Sequence, residues 1–298
     1  MSSPQPAGAT IPPAADPSGA LLRRNSRSRT SLNLVAGSVL VGLVAAAALL
    51  SLIWVPYDPV AMHPADRLQG PSGQYWLGTD KFGRDTFSQI MVGARTTLFV
   101  GVVAVGVAAL VGVPSGMLAA MAPRPVGRFV MRLTDIVLAF PALLLAIMLG
   151  AVFGGSTLTA MIAIGIASIP SFTRVVRSAA IQVLVSDYVL AARVAGRSLW
   201  STARIHVWPG VRGIVIVQSS VAFALAVLAE AALSFLGLGT PPPVPSWGRM
   251  LQESQELLFV EPRLALVPGI AIAVSVLGFN LLGDGLRDVF DPRLRGSR

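Results

Sequence analysis

The chain has 298 residues, 54% hydrophobic and 12% charged, about half the share of charge that a soluble domain carries. It contains no cysteine and two histidines, His63 and His206, which excludes disulfides and thiolate metal sites and leaves neither histidine with a partner at metal-ligand spacing. The formal net charge of +9 sits between apolar runs, not in one patch with interleaved aromatics, so it reads as membrane topology and not as a nucleic-acid surface.

Residues 1–33 are rich in Pro, Ser, Ala and Gly and then carry Arg23, Arg24, Arg27 and Arg29. They have no apolar period, and the expectation is a disordered basic tail. Leu34 to Ile53 is long enough to cross ~30 Å of hydrocarbon. Trp54-Val-Pro-Tyr57 follows it in place of a small-residue cleavage site, so it is expected as an uncleaved first helix, 34–53. An extracytoplasmic segment, 54–96, comes next. Five further spans are expected at about Leu98–Ala120, Ile136–Phe153, Leu158–Phe172, Ile214–Leu236 and Leu264–Leu282, the fourth of the six ending near Pro170. The expected fold is therefore an all-α integral membrane protein of six transmembrane helices, with a core over 97–284 and a C-terminal tail over 285–298.

With the N-terminus inside, seventeen of the 23 basic residues fall in inner segments. Arg67, Lys81, Arg84, Arg95, Arg249 and Arg263 fall outside. Cytoplasmic loops carry the excess of Lys and Arg, so both termini are expected in the cytoplasm. Gly112-Val-Pro-Ser-Gly116 and Gly150-Ala-Val-Phe-Gly154 put small residues one turn apart, a spacing that lets helices approach closely; packing within one subunit is the simpler reading.

A cytoplasmic loop, 186–210, lies between the fourth and fifth spans. Ser186 and Asp187 can each cap a short helix, and Gly196 can end it. Leu199, Trp200, Ala203 and Val207 then share a face of a second helix, with Pro209 expected to stop it. A helix–turn–helix with an apolar face either packs on its own membrane domain or receives a partner. His206 is expected to be structural.

Glu230 is the acid well inside a span, a functional-site hypothesis by default. It either faces a translocation pathway with Ser234 and Phe235 or forms an interhelical hydrogen bond. Asp135, at the start of the third span, is expected to cap or to pair with Arg132. Asp80, Lys81, Arg84 and Asp85 beside Gly83 read by themselves as a solvated turn. Gly283-Asp284-Gly285 is expected to end the last helix, with Asp284 pairing Arg287. The sequence has no GxxxxGK[ST] phosphate loop and offers no Ser-His-Asp set or paired carboxylates for catalysis.

Ala191, Ala192, Gly196 and Pro209, in a loop also carrying Leu199, Trp200 and His206, resemble the coupling-loop motif of binding-protein-dependent ABC permeases. Leu190 stands where that motif begins with an acid, so the resemblance implies the loop's location and not an acid-mediated contact. Three further segments resemble the C-type subunits of dipeptide and oligopeptide permeases. They are Leu77-Gly78-Thr-Asp80-Lys-Phe-Gly83-Arg84-Asp85 with Gly93-Ala-Arg95; Glu230 to Gly239 with Pro245-Ser-Trp247-Gly248; and Phe279 to Asp288 with Asp291-Pro-Arg293.

The resemblance implies the type I importer permease fold, with the first helix peripheral to a core of five. It implies a paralogous B-type permease as partner, and two cytoplasmic ATP-binding subunits that carry ATP and Mg and receive residues 188–209. An extracytoplasmic peptide-binding protein would dock on the outer loops. The chain itself would be no enzyme and would bind no cofactor; its surroundings are lipid and no nucleic acid. Peptide is the implied cargo, with nickel chelates, glutathione and antimicrobial peptides as alternatives. An ion-driven secondary transporter and a membrane scaffold are the readings outside the family.

Overall fold

The computed structural model describes residues 17–154 and 156–290, with side chains from Leu32 onward. Ten α-helices make up almost all of the regular structure: α1 Pro17–Leu50, α2 Thr86–Met121, α3 Arg124–Ala139, α4 Ala142–Phe153, α5 Thr157–Leu184, α6 Asp187–Val194, α7 Leu199–Thr202, α8 Trp208–Phe235, α9 Trp247–Ser254 and α10 Arg263–Phe290. Among the described residues there is no β-strand beyond a single bridge, Thr79 to Asp85. Among the described residues five helical stretches are long and apolar enough to cross a membrane; α3 and α4, bent by 83° at their junction, make a sixth if counted as one span.

The long helices α2, α5 and α8 form the centre. Val100 and Ala104 of α2, Met161 and Ile164 of α5, and Ala226 and Leu233 of α8 share one buried cluster. Ala108, Val113, Phe172, Val176 and Val215 continue it along the bundle. Gly112 and Gly116 let α2 and α5 close on each other: a Cβ at Gly116 would lie 2.7 Å from the Thr173 carbonyl oxygen. This is packing within the subunit, as expected for that pair. Gly150 and Gly154, by contrast, have open space where a Cβ would stand. Gly116→Val is expected to cost about 1–3 kcal/mol through overpacking, read as a lowered thermal midpoint in detergent; Gly150→Val should leave that midpoint unchanged.

Several expected boundaries move. Helix α1 begins at Pro17 and not at residue 34: Ala20, Leu21, Leu22, Arg23 and Arg24 are good helix formers, and extending a formed helix avoids the cost of a new nucleus. Residues 1–16 of the expected tail lie outside the described residues. The third span is not one straight helix, because Pro141 disfavours helical backbone at Phe140 and the chain is extended there. The fourth span does not end at Pro170; that residue is buried inside α5, where packing against α2 outweighs one missing backbone donor.

Pro209 does not stop a helix either. It sits in the first turn of α8, directly after a π-type turn over Ala203–Val207, and such a widened turn absorbs the register change around a missing N–H. Nor does Gly283-Asp284-Gly285 end α10, which runs on to Phe290. A Cβ at Gly285 would lie 2.7 Å from Leu34 Cα, and one at Gly278 2.9 Å from Leu40 Cβ. These glycines are therefore the contact between α10 and α1. No ion pair joins Asp284 to Arg287 among the described residues, and residues 291–298 of the expected tail and signature lie outside them.

Candidate functional site: a projecting loop and a braced opposite layer

Helices α6 and α7 join α5 to α8 at one end of the bundle. Ser186 holds the N-cap position of α6, but its hydroxyl donates to the Val183 carbonyl at 2.5 Å and accepts nothing from the helix. Gly196, at φ +78°, provides the left-handed residue that ends α6. Ser198 caps α7, its hydroxyl accepting from the Ser201 N–H at 3.3 Å.

Val189 and Val207 are fully buried, in one cluster with Ala180, Leu184 and Val211. Between these anchors the apolar side chains turn outward: Leu190 and Leu199 are exposed, Trp200 is 77% and Val194 90% accessible. The expected shared face therefore splits. Val207 and part of Ala203 turn inward while Leu199 and Trp200 project, because the π-type turn rotates the helix between them. Ala191 is exposed, Ala192 half-buried and Pro209 exposed. His206 packs its ring edge on Tyr188 with 5.9 Å between centroids, and its Nε2 is enclosed without a hydrogen-bond partner.

The opposite end of the bundle carries a dense polar layer, and it is not a solvated turn. Asp80 accepts from the backbone N–H groups of Phe82 and Arg84 at 2.8 and 3.0 Å, from Arg84 Nε at 2.6 Å and from Gln89 Nε2 at 3.0 Å. The other arm of the buried Arg84 reaches Glu253 on α9, which Arg249 also binds at 2.8 Å. Lys81 pairs with Glu256 at 3.1 Å. Asp85 caps α2, accepting from the Ser88 N–H at 2.8 Å.

Gly83 has φ +78°, and a Cβ there would collide with the His63 carbonyl, so only glycine closes this turn. Gly78 leaves room for the Arg263 guanidinium, which donates to the carbonyls of Leu77, Gln69 and Thr79. Tyr75 donates to Asp66 at 3.0 Å. Burial first, then that hydrogen bond, raises the pKa of the phenol above its ordinary value, so it stays neutral and donating at physiological pH.

Two of the segments singled out in the sequence, 77–95 and 230–248, meet here. Trp247 is buried, donates from Nε1 to the Ile90 carbonyl at 3.0 Å, and lies where a Cβ on Gly93 would stand. Thr96 donates to the Pro245 carbonyl at 3.1 Å. Glu230 is 2% exposed. It accepts from Ser234 Oγ at 2.7 Å and Thr240 Oγ1 at 3.4 Å, and Ser234 Oγ in turn accepts from the Thr240 N–H at 3.1 Å. Glu230 and Ser234 thus tie the end of α8 to the loop after it, whereas Phe235 is exposed.

Asp135 pairs with Arg174 of α5 at 2.6 Å and not with Arg132. That partner, like Glu253 and Arg263, sits far away in sequence and escaped sequence reasoning. The i,i+4 spacings of Arg249 with Glu253 and of Asp80 with Arg84 were the local signals available for this polar layer. Among the described residues no group of three His, Cys, Asp or Glu side chains is placed to hold a metal.

Residues 112–296 match the family model described as binding-protein-dependent transport system inner membrane component. The dipeptide transport system permease protein of Alkalihalophilus pseudofirmus is 43% identical over 233 residues, covering 78% of this chain and 77% of that one. The glutathione transport system permease protein of Pectobacterium atrosepticum is 39% identical over 262 residues, 88% of this chain and 87% of its own. The di/tripeptide transport system permease protein of Pseudomonas aeruginosa is 40% identical over 251 residues, 82% and 83% of the two. In fold, a chain of the inward-facing MetNI methionine ABC transporter superposes with a TM-score of 0.59 at 16% identity, covering 68% of this chain and 97% of that one. Helices that span a membrane, a type I importer permease fold and these relatives converge: the chain belongs to the inner-membrane permease components of binding-protein-dependent ABC transport systems.

Proposed function

We propose that this permease forms one half of the pathway of an ATP-driven peptide importer, pairing with a paralogous permease. Two cytoplasmic ATP-binding subunits hold ATP and Mg²⁺ and seat on residues 188–209. A peptide-binding protein delivers cargo to the layer formed by 54–96 and 238–263. Both termini are cytoplasmic, since seventeen of the 23 basic residues then fall in inner segments.

The observation that carries the coupling role is the loop itself. Two fully buried valines, Val189 and Val207, hold it to the bundle while Leu190, Val194, Leu199 and Trp200 face outward. Exposed apolar side chains on a rigid base are what a partner's groove takes up. The loop transmits force only by fitting the closed and open ATPases differently, because equal affinity for both shifts nothing. Cargo follows the relatives, whose names specify dipeptides, di/tripeptides and glutathione; all contain amide-linked amino acids. Glu230 acts as a structural hydrogen-bonding group of the outer loop, not as a cargo ligand.

Purification of the tagged chain from native membranes in mild detergent tests the assembly. A second permease and phosphate-loop ATPases are expected in the mass spectrum, and they should be lost when residues 188–209 are scrambled. Recovery of the chain alone, folded and in good yield, rejects the reading. Uptake of a labelled dipeptide by proteoliposomes, with unlabelled glutathione as competitor, then separates the two cargo classes.

A further inference from the structure

Near the end of the bundle that carries the projecting loop, a cavity of about 750 Å³ opens between α2, α3 and α5. Arg124, Arg128 and Arg132 recur every fourth residue of α3 and line it, with Arg177 of α5 completing the wall. Gly127 gives α3 its close approach to α2: a Cβ there would lie 2.7 Å from the Ala119 carbonyl oxygen. None of the four arginines forms an ion pair among the described residues. The carboxylate lining the same cavity, Asp135, is committed to Arg174 at 2.6 Å. Arg177 Nε is enclosed by protein and has no hydrogen-bond partner. Arg124, Arg128 and Arg132 reach water, so the enclosed Arg177 Nε is the group whose burial calls for a partner, and the three exposed charges make an anionic one favourable.

The other face of α3 indicates where the counter-charge comes from. Val126, Phe129, Leu133 and Ile136 are exposed on it, so α3 presents hydrocarbon on one face and, on the other, exposed guanidinium groups around the mouth of the cavity. That is the form of a span whose first half, before the 83° bend, lies at the membrane interface while α4 enters the bilayer. Its location at the end of the span α2, on the arginine-rich side, puts the cavity at headgroup depth. Guanidinium groups match phosphate oxygens two at a time, and basic pockets between spans on the cytoplasmic side take acidic headgroups. We propose that this cavity is a binding site for the phosphate of an acidic phospholipid of the inner leaflet, held by Arg128, Arg132 and Arg177, with acyl chains running along the apolar face of α3. The inference rests on the orientation adopted above and not on the cargo or the ATPase contact.

Native mass spectrometry of the full chain, purified with its partners and titrated with phosphatidylglycerol or phosphatidylcholine, tests it. Wild type should retain phosphatidylglycerol selectively. The triple variant Arg128→Gln, Arg132→Gln, Arg177→Gln should lose that selectivity, about fivefold per arginine removed, while the three Arg→Lys changes restore much of it. Retained selectivity in the glutamine variant overturns the proposal. So does competition by inorganic phosphate at concentrations comparable to those of the lipid, which would assign the pocket to a free anion. Loss of a partner subunit with lipid retention unchanged would make it a protein-docking face and equally overturn it. Orientation is read separately, by labelling single cysteines placed in 185–207 from either side of sealed vesicles.

Discussion

Replacing Arg84 by alanine is expected to destabilise the polar layer around it by about 3 kcal/mol. Arg84 is buried, and its guanidinium bridges Asp80 at 2.6 Å and Glu253 on α9 while lying 4.8 Å from the centre of the Phe82 ring. Its removal leaves two largely enclosed carboxylates with less compensation than their burial demands, since Gln89 and Arg249 still reach one each. Such losses exceed the net worth of the pair because the remaining charges stay desolvated. The measurement is the thermal midpoint of the purified assembly, followed by far-ultraviolet circular dichroism. Arg84→Lys should recover only part of the loss, because an ammonium group cannot fork between two carboxylates. An unchanged midpoint for the alanine variant would mean that the bridge contributes nothing.

The second large effect concerns transport and not folding. Leu199→Asp combined with Trp200→Asp should reduce ATP-driven uptake in proteoliposomes to background. Stability should shift by no more than about 0.5 kcal/mol, as is usual at exposed positions. Both side chains project from α7, so charge there costs little in the free chain but would be desolvated against an apolar groove. Val207→Asp is the contrasting variant: it buries a carboxylate in the cluster of Leu184, Val189 and Val211 and should abolish folded protein. If the double variant transported normally, the coupling assignment would be wrong even with the family membership intact.

Much of the architecture is legible in the order of residues. Continuous apolar runs must leave water, and a helix satisfies its own backbone in lipid, so the helical membrane character follows from composition and run length. The projecting loop is legible too, because Gly196 and the polar start at Ser186 are local signals. The boundaries that moved show where a local signal is ambiguous. Pro141, Pro170 and Pro209 are the same residue type with three outcomes: a bend, a tolerated interior position and a helix first turn. Gly283 and Gly285 resemble a helix end and are a packing surface against neighbouring helices. At Pro170 and at the α10 glycines packing between helices decides against the local preference, whereas at Pro141 and Pro209 the local preference of proline holds.

What the sequence determined by itself is the class of molecule: a helical membrane protein of about six spans, a charge asymmetry across it, a loop suited to a partner, and ordered motifs that name a permease family. Those properties depend on residues close in the chain or on totals. The tertiary structure alone decided that Arg84 meets Glu253, that Arg263 braces the turn at Gly78, that Trp247 seats on Gly93, and that Glu230 turns into the protein. It also decided that Arg177 joins the α3 arginines around one cavity. These pairings join groups far apart in the chain, and ion pairs and close contacts carry no periodicity that a linear pattern records; only the packing of helices brings such residues within reach.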